Sequence, residues 1–269
     1  MGSGVVRRAY RYCFHPTPGQ KAELNRTFGC ARLVYNKALE TRTKAWHGEQ
    51  RRVSYVDTSA ALTEWKKTDE LSFLAEVSSV PLQQSLRHLQ SAFANFWAKR
   101  ARYPSFKSKR NRQSAEYTRS AFRWRDGQLT LAKMPEPLDV VWSRPLPDDA
   151  EPSTVTVSRD PAGRWHVSIL VEETVEPLPP VETAVGVDAG LTSLLTLSTG
   201  EKVVNPKHER RDRERLAKAQ WNLSRKQRGS RNRAKARVKV ARVHARIADR
   251  RRDHLHKLTT RLVRENQTV

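Results

Sequence analysis

Val5 to Phe14 is rich in β-branched and aromatic side chains, a pattern that predicts a strand. The period then lengthens. Thr17-Pro18-Gly19-Gln20 supplies a capping threonine, a proline at the first helical position and a glutamine three residues after the cap. Leu24, Phe28, Ala31, Val34 or Tyr35, and Leu39 recur at helical spacing, so a long helix is expected there. A second helix is expected from about Asp57 or Thr58. A third is expected from about Ser79, with Pro81 in its first turn and Leu82, Leu86, Leu89, Phe93 and Phe96 along one face. Residues 17–99 read as an all-helical unit.

Tyr103 to Arg112 is a basic loop, and from about Phe122 the pattern becomes that of short strands. Asp126-Gly127 marks one hairpin turn, and Thr154–Ser158 and Trp165–Glu172 alternate around a second at Asp160-Pro161-Ala162-Gly163. If the amino-terminal strand joins these, the helical unit is an insertion into a small β-barrel. Glu176-Pro177-Leu178-Pro179-Pro180 reads as a stiff linker and a domain boundary. Beyond it, three strands in hairpin succession are predicted at Val185–Leu191, Ser193–Leu197 and Lys202–Val204. Two long helices follow from about Asn205. Leu216, Ala219 and Leu223 form one apolar seam; Val240, Val243, Ile247, Leu255, Leu258 and Leu262 form another, with a break at Gly229-Ser230.

Composition changes the picture at this point. The 269 residues suit about two domains, and 37% apolar content is enough for real cores. Lysine and arginine number 51 against 28 acidic residues, a net charge of +23. Such an excess costs self-repulsion in a compact state and disfavours a neutral metabolic enzyme; a polyanionic partner offsets it. Lys207 to Lys257 holds 20 basic and five acidic residues, a net +15. Charge runs are often only solvated faces. Here five acids cannot pair 20 bases, so phosphate binding along the helices is the favoured reading. Cys13 and Cys30 fit neither a disulfide framework nor a paired zinc motif, and a reducing cytoplasm suits them. No apolar run approaches 18 residues and no signal core opens the chain, so a cytoplasmic protein without a membrane partner is expected.

Asp188 is the sharpest single feature. A carboxylate at the core end of an apolar strand is costly unless it is compensated, and a hard cation would compensate it. The alternative is an aspartate that caps a turn at the strand end. Tyr55, Gln83 and Gln84 could stack on or pair with bases, or could be ordinary surface residues. Trp46, Trp65, Trp97 and Trp124 are expected as core anchors rather than stacking platforms. Lys107, Lys109 and Arg110 in the basic loop, and Arg225, Lys226, Arg228, Arg231, Arg233, Lys235 and Arg237 in the helical pair, are the candidate phosphate contacts. No glycine-rich phosphate loop and no Gly-x-Ser-x-Gly elbow is present.

Phe14-His15-Pro16-Thr17-Pro18-Gly19-Gln20 and Phe28-Gly29-Cys30-Ala31-Arg32-Leu33-Val34-Tyr35-Asn36 resemble the opening of the TnpB (OrfB-type) proteins of bacterial insertion sequences. Tyr103-Pro104-Ser105-Phe106-Lys107, Val185 to Leu191 and Leu255-His256-Lys257-Leu258-Thr259-Thr260 resemble the same family, in the same order. The resemblance implies an RNA-guided DNA endonuclease related to compact type V CRISPR effectors, with a guide RNA and target double-stranded DNA as partners. It implies an α+β multidomain fold. A small wedge-type β-barrel (first strand 5–16, remainder and linker 116–180) carries a helical recognition insert (17–115). A partial RuvC, ribonuclease H-like α/β domain with a long basic helical pair follows (181–269). It makes Asp188 the first of three Mg²⁺-binding carboxylates, and places Tyr55, Gln83 and Gln84 where the family reads a short DNA motif. The family's later Glu, later Asp and zinc ribbon are not found here, the chain ending at Val269 about where the Glu-bearing strand begins. The expectation is therefore a polypeptide that binds but does not cut, unless Glu201 or Glu265 completes the site. A non-enzymatic guided repressor and an RNA-independent transposition factor are the rival readings.

Overall fold

Alternation along the first strand dictates where the sheet's core lies. In β1 (Gly4–Phe14), Tyr10, Tyr12 and Phe14 are buried and the residues between them are exposed. The computed structural model describes residues 4–147, 150–176 and 179–269. Two compact units result, one from Val5 to Thr174 and one from Val175 to Val269 with Gly4. Pro177 and Leu178 of the expected stiff linker lie outside the described residues.

In the first unit, helix α1 (Pro18–Glu49) starts with the expected capping box: the Gln20 amide donates to Thr17 Oγ1 and the Thr17 amide to Gln20 Oε1. Gln20 Nε2 also donates to the carbonyls of Glu136 and Pro137, so the cap ties the helix to the strands' connections. Helix α2 (Tyr55–Trp65) begins earlier than the sequence suggested. Ser54 is its N-cap and Asp57 closes a capping box from the third position rather than starting the helix. A 3-10 segment (Asp69–Ala75) and helix α3 (Ser79–Trp97) complete the bundle around Val34, Leu39, Leu62, Leu74, Leu82, Leu86 and Leu89.

The strands are β2 (Gln113–Thr118), β3 (Phe122–Arg125), β4 (Gln128–Leu131), β5 (Val140–Val141), β6 (Thr154–Arg159) and β7 (Trp165–Val175). Four of them join β1 in a five-stranded sheet ordered β2-β6-β7-β1-β5, with Ala115 opposite Val157 and Val157 opposite Val167. β3 and β4 make a separate hairpin whose turn residues Asp126 and Gly127 both have positive φ (51° and 71°), as a type I′ turn requires. The expected barrel is not formed: among the described residues the sheet is open. β5 is only two residues long, and α1 and α3 pack along β2, so neither edge is available for closure. The hairpin instead lays Leu129 and Leu131 into one core with Tyr12, Val157, Val167 and Ile169.

The second unit is sparser. Strands β8 (Val187–Ala189), β9 (Ser193–Leu197) and β10 (Lys202–Val204) form an antiparallel sheet ordered β10-β9-β8. Helices α4 (His208–Ser224) and α5 (Arg231–Glu265) pack together as a hairpin, turned at Gly229 with φ 85°. Leu258 and Leu262 near the end of α5 join Val185 and Leu197 in a small core. No helix among the described residues is long and apolar enough to cross a membrane.

Candidate nucleic-acid interface

The charge of the helical hairpin is sorted by position. Near the amino end of α4, buried Asp212 accepts from Arg250 at 2.5 Å, with Arg215 and Arg246 within 4 Å. Arg251 pairs with Glu209 at 2.8 Å, a further clasp between the helices. The acids are thus concentrated where the two helices are held together. At the other end, Arg225, Lys226, Arg228, Arg231, Lys235 and Arg237 are exposed and make no ion pair among the described residues. Arg225 lies over the exposed Trp221 ring, 4.5 Å from its centroid, so the tip offers a stacking surface beside its cations.

Arg233, placed with this block by its sequence position, does different work. It lies three residues before Ala236, at helical spacing with buried Ala236, Val243 and Ile247, and so faces the seam. Its guanidinium donates to the Leu223 and Lys226 carbonyls at 3.0 and 2.8 Å, closing the last turn of α4. Ser230, accepting from the Arg233 amide, caps α5 in the same turn. The apolar period of α5 carried the signal that separates Arg233 from its neighbours.

In the helical region, Tyr55 opens α2 half-buried against the bundle core, with the Arg87 guanidinium 5.4 Å from its ring centroid. Exposed Gln83 stands one turn before Arg87 on α3, in the helix's second turn. Gln84 is half-buried and one turn from His88, which pairs with Glu116 at 3.0 Å. Tyr55, Gln83 and Arg87 therefore share a face, and Gln84 points about a quarter-turn away from it. Arg87 was missed in the sequence, where its spacing of four from Gln83 was the available signal. In the basic loop, the Asn36 side chain grips the backbone of Lys107 from both sides, and the Lys107 ammonium sits 4.0 Å from the Tyr35 ring centroid. Withdrawal from water pulls its pKa below the usual lysine value. Lys109 and Arg110 are exposed on the same loop.

Asp188 is not where the sequence suggested. It sits in the middle of β8 opposite Thr196 and is exposed, because β8 is a three-residue edge strand whose neighbours Val187 and Ala189 are exposed too. Gly190 just beyond lies close to the backbone: a Cβ there would approach the Ser193 carbonyl to 3.2 Å, a tight contact. Glu201 is engaged by Arg261 at 2.8 Å, and Glu265 ends α5, its carbonyl accepting from Thr183. Residues 267 and 268 bond to Thr183 and Val185 as a parallel bridge just before β8. Among the described residues no three His, Cys, Asp or Glu side chains stand together as a metal-binding group. A two-ion magnesium centre needs several carboxylates, so the residues described do not fit one.

The described residues thus make a mixed α/β protein with an open antiparallel sheet, a helical bundle and a cationic helical hairpin. Residues 166–269 match the family model of the IS605-type OrfB proteins, described as "Probable transposase", and residues 1–51 match its companion, described as "Helix-turn-helix domain". In this structure residues 4–49 form one strand and one uninterrupted 32-residue helix, so the companion's name does not describe the local fold. A Streptomyces pristinaespiralis protein named "Putative RNA-guided DNA endonuclease" is 74% identical over 98% of this chain and 66% of its own length. Escherichia coli K12 InsQ, named in the same words, is 32% identical over 97% of the chain and 65% of its own length. Salmonella dublin "Virulence protein VsdF" is 36% identical over an alignment of 115 positions, covering 38% of this chain and 93% of that protein. The chain spans about two thirds of the length of the first two relatives. It belongs to the OrfB (TnpB-type) transposase family of insertion sequences.

Proposed function

We propose that the protein holds a structured RNA whose guide segment pairs with target DNA, and that it reads the resulting duplex by backbone and shape. The observation that carries this reading is the unpaired cationic tip of the α4–α5 hairpin, with Arg225 on Trp221 at its centre. Six unpaired cations on one exposed tip suit the phosphates of a duplex or a structured RNA. The names of the relatives favour RNA guidance over a plain DNA-binding transposition factor. In this reading the open sheet is the wedge and the helical bundle the recognition insert. The β8–β10 sheet with α4 and α5 is the opening part of a RuvC-type nuclease fold, acting in the cytoplasm. Tyr55 and Gln83, with Arg87 beside them, are the groups placed to read a short DNA motif.

Among the described residues exposed Asp188 belongs to no group of three metal-ligating side chains, so this reading has the polypeptide bind without cutting; three-carboxylate Mg²⁺ chemistry would require further ligands. That same observation favours a second reading, a guided binder that blocks transcription. Sequencing the nucleic acid that copurifies with the protein tests the first. A defined noncoding RNA is expected; DNA with no such RNA overturns RNA guidance and leaves the transposition factor.

A further inference from the structure

Trp46 and Trp97 are not core anchors: they are 43% and 60% exposed, beside Tyr103 at 43%. With Phe93, Phe96 and Arg42 they line a cavity of about 360 Å³ at the carboxyl ends of α1 and α3. That volume falls within the range of roughly 300–1,000 Å³ typical of small-ligand pockets. The rings brace one another: Phe93 meets Trp97 and Tyr103 at 5.5 Å between centroids, and Phe96 meets Tyr103 at 5.3 Å. Arg42 is only 6% exposed and lies 5.1 Å from the Phe93 centroid, with one Nη donating to Gln90 Oε1 at 2.9 Å. Its Nε–H has no acceptor among the described residues and is sealed from solvent, while the residue lines the cavity and makes that wall positive.

The mouth of the cavity is cationic. Arg51 and Arg52 line it, and Lys99, Arg100 and Arg102 lie in the turn joining Trp97 to Tyr103. Of these five, Arg51 alone forms an ion pair among the described residues, with Glu49. A neutral apolar ligand would leave the positive wall and rim unused, and a simple anion would not use the aromatic walls. Aromatic faces, the Arg42 wall and a cationic rim together form the recognition set for a base drawn out of a single strand.

We propose that this cavity receives one unstacked nucleobase of a single-stranded nucleic acid, stacked on Trp97 with its carbonyl edge toward Arg42 and its phosphates on the rim. The inference rests on the reading that the protein binds nucleic acid, and adds to it a base-binding site apart from the hairpin tip. The test uses the full chain at about 200 mM salt, where phosphate contacts are weakened. The probes are unstructured RNA and DNA oligomers of one sequence, an abasic oligomer of equal length and a DNA duplex. Trp97→Ala should weaken single-strand binding about tenfold, the scale of losing one stacked base, while Trp97→Phe retains most of it. Duplex and abasic binding should be the same for all three proteins. A loss with RNA alone, DNA alone or both identifies the strand that supplies the base, and each supports the site. Unchanged single-strand affinity, or an equal loss on duplex, overturns it. Absence of all nucleic-acid binding by the unsubstituted protein overturns the broader reading instead.

Discussion

Residues 5–174 and residues 175–269 meet the same folding problem with very different means. The first unit has two cores, of 19 and 13 buried residues, shared among a five-stranded sheet, a hairpin and a helical bundle. The second has a core of four buried residues under a three-stranded sheet, and a hairpin seam in which Asp212 is buried among arginines. At roughly 1.5–3 kcal/mol per buried aliphatic side chain, four such residues offset little of the entropy of ordering so many residues. The second unit also carries most of the excess charge, which opposes its own compaction. The first unit is built around its interior. If a polyanion binds the second as proposed and neutralises its surface, binding and folding are coupled there.

The sharpest way to break this contrast is salt. If the hairpin tip engages about six phosphates, affinity should fall on the order of a thousandfold or more between 50 and 200 mM salt. Replacing Arg225, Arg228, Arg231 and Lys235 with Gln should flatten the salt slope by about four, read from binding isotherms across a salt series. Exposed cations on the first unit that are already ion-paired, such as Arg7 with Glu172, should leave the slope nearly unchanged. A slope insensitive to the tip would mean that the charge of α4 and α5 is a solvated face.

A smaller effect separates the cores themselves. Leu86→Ala, in the helical bundle, should cost about 2–5 kcal/mol and lower the unfolding midpoint of the first unit alone. Leu258→Ala removes one of four core residues, so the second unit should melt early while the first keeps its transition. Nucleic acid at about 100 times its Kd should restore roughly 2.7 kcal/mol to the second unit, by binding only its folded form. Differential scanning calorimetry with and without oligonucleotide reads all three. A single transition shifted equally by either substitution would refute the separation.

Acid should act mainly on the first unit. His166 is buried in β7 with its Nδ1 unpartnered among the described residues, and burial, with help from nearby Arg11, lowers its pKa to about 4. The unfolded chain binds the proton near pH 6.5, so between that pH and about 4 the unfolded state holds more protons. Stability is therefore full above pH 6.5, falls as the pH drops through this window, and is lower by up to about 3 kcal/mol at its foot. His166→Gln should remove this share of the acid sensitivity, measured as the unfolding midpoint at pH 7 and pH 4.5.

How much of this was legible depended on whether a feature was local. The Thr17-Gln20 box, the Asp126-Gly127 turn and the Gly229 break are short-range stereochemistry, and the structure has each. The Ser54-Asp57 box was misread because both residues can cap, and only the pairing of their side chains with opposite amides decides which does. Strand β2 was passed over since Gln113-Ser114-Ala115-Glu116-Tyr117-Thr118 has just Ala115 and Tyr117 to bury. The barrel failed for a nonlocal reason: closure depends on free edges, and no strand's own residues report what packs beside it. For the same reason the exposure of Asp188, Trp46 and Trp97 could not be read from their types, nor could the role of Arg233 be read from its charge.

Asp188 gives the smallest expected effect and tests the contrast at its most exposed point. The carboxylate stands on an edge strand, open to solvent. Its substitution by Ala removes no buried contact, so stability should change by no more than about 0.5 kcal/mol. Binding should be unchanged as well, since an acid contributes no attraction to phosphate. With Mg²⁺, guide RNA and matched DNA, neither the 269-residue chain nor Asp188→Ala should cut, because hydrolysis by fixed metal ions needs several carboxylates at one point. Glu201 is held by Arg261, and Glu265 lies at the end of α5. Cutting that disappears in Asp188→Ala would show that these acids move to join Asp188 when nucleic acid binds. The sparse second unit would then be a nuclease assembled by its substrate, and its small core would reflect a fold completed only in the complex.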